Sequence, residues 1–116
     1  MKQTLLGVAI AFLIVSPAIA ATHKATSKEL ATIKQAFSDR LKDPYSVKLK
    51  DVQIKEDGTV CGEINAKNSY GAYTGYTRFN GVYFARDKNG NPFAMILAID
   101  DGDSAIAQTM CTKAGL

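Results

Sequence analysis

Two cysteines, Cys61 and Cys111, limit the possible folds of this chain more than any other feature, and they are its only ones. An even cysteine count in an exported protein reads as a disulfide. A bridge across fifty positions would tie the middle of the chain to its tail. Chain-entropy reasoning gives such a loop about 4 kcal/mol of stabilisation, comparable with the whole net stability of a small domain. Competing uses of the sulfurs fare worse. Two thiols so far apart are no Cys-x-x-Cys redox pair. A metal site would lack ligands, because the single histidine, His23, lies near the start. No metal and no cofactor are expected.

Export is read from the first twenty residues. Lys2 supplies a positive head, and residues 5–15, LLGVAIAFLIV, form an uncharged apolar run. Ser16-Pro17 breaks that run, and Ala18-Ile19-Ala20 has the small-x-small pattern that signal peptidase cleaves. The expectation is a signal peptide at 1–20 with cleavage after Ala20, and a single α+β domain at 21–116. About eleven apolar residues would span roughly 16 Å as a helix, about half a hydrocarbon core. No stable membrane insertion is therefore expected after cleavage, and the mature chain should be periplasmic or secreted.

Removing Lys2 leaves thirteen Lys plus Arg against eleven Asp plus Glu, a net charge of +2. So small an excess, spread along the chain, favours neither nucleic acid nor an anionic membrane.

Thr26-x-x-Glu29 fits a capping box. Leu30, Ile33, Phe37 and Leu41 follow at helical spacing and mark an amphipathic helix ending at Asp43-Pro44. His23 to Thr26 reads as a disordered polar lead-in. Val47, Leu49, Val52 and Ile54 mark a strand whose apolar parity changes at Lys50-Asp51, which predicts a bulge. Asp57-Gly58 turns the chain into a second strand, 59–66, with Val60, Gly62, Ile64 and Ala66 on one face and Cys61, Glu63 and Asn65 on the other. A third strand is expected at 81–85 and a tight turn at Asn89-Gly90. The last strand, 93–99, is apolar on both parities, as strands in the middle of a sheet are. Asp100-Asp101-Gly102 is a turn rather than a calcium loop, with Asp103 or Ser104 capping a short terminal helix.

The stretch NSYGAYTGYTRF, residues 68–79, places rings at Tyr70, Tyr73, Tyr76 and Phe79 with glycines between them. A three-residue spacing alternates faces on a strand, and the Gly, Asn, Ser and Thr content disfavours a helix. A loop or irregular strand edge is the natural host. Tyr, Ser, Gly and Asn together are the composition of binding loops, although rings here could also close the core. Asn65, Asn68, Tyr70, Tyr73 and Tyr76 are the candidate binding residues. Catalytic readings are poorer: no histidine lies in the expected folded region, and Glu63 is a lone carboxylate on a strand. No phosphate-cradling glycine pattern is present, and basic residues do not cluster among the aromatics along the chain.

The run VCGEINAKNSYGAYTGYTRF at 60–79, preceded by KDPYSVKLKDV at 42–52, resembles short exported proteins of bacteria and their phages. In these an Asp-Pro-x-Ser segment precedes a Val-Cys-Gly-x-x-Asn-x-x-Asn-x-x-Gly motif. The resemblance implies an envelope-exported origin and a shared fold, and it implies no activity. A looser similarity links residues 69–75 with the Ser/Gly/Tyr loop of periplasmic lysozyme inhibitors, from which the residue order departs.

The expected architecture is α+β: an N-terminal amphipathic helix packed on a four-stranded antiparallel sheet, a short C-terminal helix and one disulfide. The expected function is a non-enzymatic binding module for an envelope protein or glycan, using the Tyr/Gly/Asn-rich surface. The alternatives are an envelope inhibitor or an immunity or superinfection-exclusion protein, and an envelope enzyme using Glu63.

Overall fold

The computed structural model describes residues 7–13, 21–41 and 43–116. Lys2, the Ser16-Pro17 break and the cleavage point after Ala20 lie outside these. The fold is α+β, with a five-stranded antiparallel sheet in the order β1-β2-β3-β4-β5. The strands are β1 (Thr22–Lys24), β2 (Lys48–Lys55), β3 (Thr59–Asn65), β4 (Thr77–Phe84) and β5 (Phe93–Ile99). Two helices, α1 (Ser27–Ala36) and α2 (Ile106–Lys113), cover opposite faces.

Helix α1 begins where the sequence places it. The Thr26 hydroxyl accepts from the Glu29 N–H at 3.2 Å, and the Glu29 carboxylate accepts from the Thr26 N–H at 2.9 Å. Each orphan donor of the first turn that the box can reach is thereby satisfied. The α-helix stops at Ala36 and tightens into a 3-10 turn, Phe37–Asp39, rather than running on to Asp43; a second such turn, Pro44–Ser46, follows. Ile33 and Phe37 are fully buried, with Leu30 and Leu41 packed at the margin. Phe37 meets Phe79 of β4 edge-to-face, ring centroids 5.0 Å apart. Val52, Ile54, Val60, Ile64 and Ile96 complete this core.

The β2 bulge is present. Lys50 pairs with Glu63 and Gln53 with Cys61, so one extra residue on β2 is absorbed between them. Asp51 takes φ 51°, the left-handed backbone that aspartate tolerates better than most residues. This returns Val52 and Ile54 to the face already used by Val47 and Leu49.

Three expectations about the sheet need correction. The sheet has five strands, not four: Thr22–Lys24 pairs with Gln53–Lys55 at the β2 edge, so His23 is held in a strand rather than in a disordered lead. β4 is longer than 81–85, because Thr77, Arg78 and Phe79 already pair with Ile64, Glu63 and Gly62. β5 is an edge strand bonded only to β4, not a central one. Its inner residue Ile96 is buried under α1, while Phe93, Met95 and Leu97 are about half exposed. Part of the free edge is occupied from within, since the Arg40 guanidinium donates to the Ile96 carbonyl at 3.0 Å.

On the other face, the disulfide Cys61–Cys111 joins β3 to α2, with Cα atoms 5.9 Å apart and both cysteines buried. The cap of α2 is also corrected. Neither Asp103 nor Ser104 provides it; the nearly buried Asp100 carboxylate accepts from the Ala107 and Gln108 N–H groups at 2.8 and 2.9 Å. Among the described residues, no helix is long and apolar enough to cross a membrane.

Candidate functional site

The loop joining β3 to β4 holds most of the tyrosine stretch, and its form is dictated by amides and glycines. The Asn68 side-chain oxygen accepts from the N–H groups of Tyr70 and Ala72 at 2.9 and 3.1 Å, while its backbone N–H donates to the Ala72 carbonyl. Asn65, at the end of β3, accepts from the Gly75 N–H at 3.1 Å and draws the far side of the loop over the strand. Gly71 and Gly75 have φ of +78° and +101°, conformations that glycine alone adopts cheaply. The two asparagines thus commit their amide oxygens to shaping the loop.

The four rings divide. Phe79 is fully buried in the core, whereas Tyr70 is 95% exposed, Tyr76 44% and Tyr73 38%. The three-residue spacing therefore straddles a boundary: three rings lie in the loop, and the last is a strand residue facing α1. Core closure belongs to Phe79, and the tyrosines remain on the surface.

Tyr73 is fixed at both ends. Its hydroxyl donates to the Ser46 carbonyl at 2.8 Å, and its backbone forms an isolated bridge with Lys67. Over its ring lie two ammonium groups, Lys48 Nζ at 4.2 Å from the centroid and Lys67 Nζ at 5.6 Å. Lys50 Nζ lies 5.3 Å from the ring of Tyr76. Ammonium groups at such distances are drawn to the electron-rich ring face, by roughly 0.5–1 kcal/mol at exposed sites.

Lys48 and Lys50 were not found by reading along the chain, because they lie on β2, some twenty residues from the tyrosines. A signal was nonetheless available. Lys48 and Lys50 have the outward parity opposite Leu49, and counting back from the Asp57-Gly58 turn sets them against Asn65 and Glu63, at the root of the loop.

Glu63 stands on this outer face with Lys50 on one side and Arg78 on the other in the strand register. Arg78 turns away and donates to the Leu116 carbonyl at 3.1 Å. Among the described residues, the one ion pair within 4 Å joins His23 of β1 to Glu29 of α1. No group of three or more His, Cys, Asp or Glu suited to a metal occurs among the described residues.

Comparison with protein-family models, curated proteins and solved structures produced no match to this chain.

Proposed function

We propose that this chain is a small exported, non-enzymatic binding module that meets an envelope protein or glycan through the β3–β4 loop and the outer end of β2. The observation carrying this reading is the trio of exposed rings, Tyr70, Tyr73 and Tyr76, standing beside Lys48, Lys50 and Lys67 on a loop pinned by Asn65 and Asn68. Tyrosine offers large, stiff contact area at low entropic cost, and pre-shaping the loop lowers the ordering cost of binding. Export rests on the leader at 1–20, with cleavage after Ala20 and a periplasmic or secreted destination, and the Cys61–Cys111 bridge is compatible with an oxidising compartment. The likeness to short exported bacterial and phage proteins points the same way.

The test is capture from an envelope extract with the disulfide-intact protein, set against a Tyr70→Ala/Tyr76→Ala double variant. Both rings are exposed, so the variant should melt as the parent does and lose the captured component. Unchanged capture by a folded double variant would remove the loop from the function.

A further inference from the structure

We propose that Lys48 and Lys67, gathered over the ring of Tyr73, form a subsite for the anionic group of an acidic glycan, a uronate carboxylate or a sugar phosphate. Tyr70 and Tyr76 then offer ring faces to the adjoining sugars. This rests on the binding-module reading above and names its ligand class.

The argument starts from charge. Two ammonium groups within 5.6 Å of one ring centroid repel each other, and the ring offsets only part of that repulsion. Neither has a carboxylate within ion-pair range among the described residues. The cross-strand neighbour of Lys48 is the neutral Asn65, while the one acidic side chain in this row, Glu63, is set against Lys50. Lys48, with Lys67 at the same ring, is therefore left without an acidic neighbour in the strand register, and an anion there would find charge-assisted donors.

Position supports the same conclusion. Tyr73 acts as a pedestal: its hydroxyl on the Ser46 carbonyl and its bridge to Lys67 fix the ring, and the ring brings together cations nineteen positions apart in the sequence. Beside it, Tyr70 projects almost wholly into solvent from a turn stabilised by Asn68. A flat, amphipathic ring next to a cation pair suits a sugar bearing a charge. Nucleic acid suits it less well, since three lysines would neutralise few phosphates and salt would readily strip them. A protein partner would want an apolar pocket for its anchors, and residues 67–76 are all exposed and largely polar.

The experiment is calorimetric titration of the disulfide-intact protein with a galacturonate oligomer, a sugar-phosphate oligomer, a neutral galactose oligomer and oligo-dT. At least one acidic oligomer should bind about tenfold more tightly than the neutral one, and added salt should erode that preference. Lys48→Gln and Lys67→Gln should each weaken acidic-oligomer binding by about tenfold, one charged hydrogen bond's worth. They should leave the melting temperature in place, because both side chains are exposed. Tyr70→Ala should weaken acidic and neutral oligomers by the same factor. Equal binding of acidic and neutral oligomers overturns the anionic subsite, and tighter binding of oligo-dT overturns the glycan. Binding of no oligomer also overturns the proposal, while Tyr70-dependent capture from the envelope extract would still uphold the binding module. Loss of that capture difference as well would sink both.

Discussion

The outer face of the sheet is secured in two different ways at its two ends. At one end α2 is clamped by a covalent bond and by a nearly buried carboxylate, and Cys61, Cys111 and Ala107 are dry. At the other end the β3–β4 loop is shaped by the amide oxygens of Asn65 and Asn68, and its rings stand in water. The first end resists opening because the cross-link limits the unfolded chain and apolar area is hidden. The second keeps its shape with exposed hydrogen bonds, each contributing about 1 kcal/mol net. A surface meant to meet a partner can be built only in the second way, since burying its rings would remove them from use.

The largest expected effect comes from breaking the clamp. Cys61→Ser/Cys111→Ser, or reduction of the parent, should cost about 4 kcal/mol. For a domain of this size that is a fall in melting temperature of roughly 15–30 °C. A drop of only a few degrees would mean that packing of α2, not the bridge, secures this end. Next comes Asp100→Ala, which strands the Ala107 and Gln108 N–H groups at the start of α2 and should cost about 1–2 kcal/mol in denaturant unfolding. Asp103→Ala should leave stability nearly unchanged, which separates the observed cap from the one the sequence suggested. Asn68→Ala should act locally. It should raise amide exchange at Tyr70 and Ala72 by about tenfold while global unfolding shifts by about 1 kcal/mol or less. Equal global losses from Asn68→Ala and Asp100→Ala would erase the contrast between the two ends.

What could be read beforehand was local or covalent. The capping box of α1, the stripe Leu30, Ile33 and Phe37, the hairpin at Asp57-Gly58, the bulge at Lys50-Asp51 and the disulfide each depend on residues whose spacing carries the physics. What escaped depends on partners distant in sequence. Thr22–Lys24 has no apolar alternation and is a strand only because the β2 edge offers it hydrogen bonds. The two-sided apolar pattern of β5 reports a demand for cover, not which neighbours answer it; both helices touch the strand, yet Phe93, Met95 and Leu97 stay about half exposed. Asp100 caps a helix that begins six residues later, beyond the reach of the usual N-cap pattern. Lys48 and Lys50 met the tyrosines only once strand register had brought β2 beside the loop.

The smallest predicted effect concerns a third kind of attachment, the junction of β1 and α1, and it adds pH to the comparison. Burial pushes the Glu29 carboxyl upward, but hydrogen bonds from the Thr26 N–H, the His23 ring and the Thr26 hydroxyl, with the charge of His23, outweigh it and hold the group below its ordinary 4.5. Because the folded value is the lower one, the ionised carboxylate favours the fold. That contribution is complete above the ordinary carboxyl value and is lost as pH falls through the depressed one. The parent should therefore lose stability on acidification more steeply than Glu29→Gln, and the two melting temperatures should converge at low pH. Amide exchange would place the loss: His23 and Thr26 should open first in acid, while the disulfide-clamped α2, which has no such carboxylate–histidine contact, should hold. Parallel pH profiles for parent and Glu29→Gln would mean that the His23 and Thr26 contacts are too solvent-screened to tie β1 to the helix, leaving its pairing with β2 as the attachment that matters.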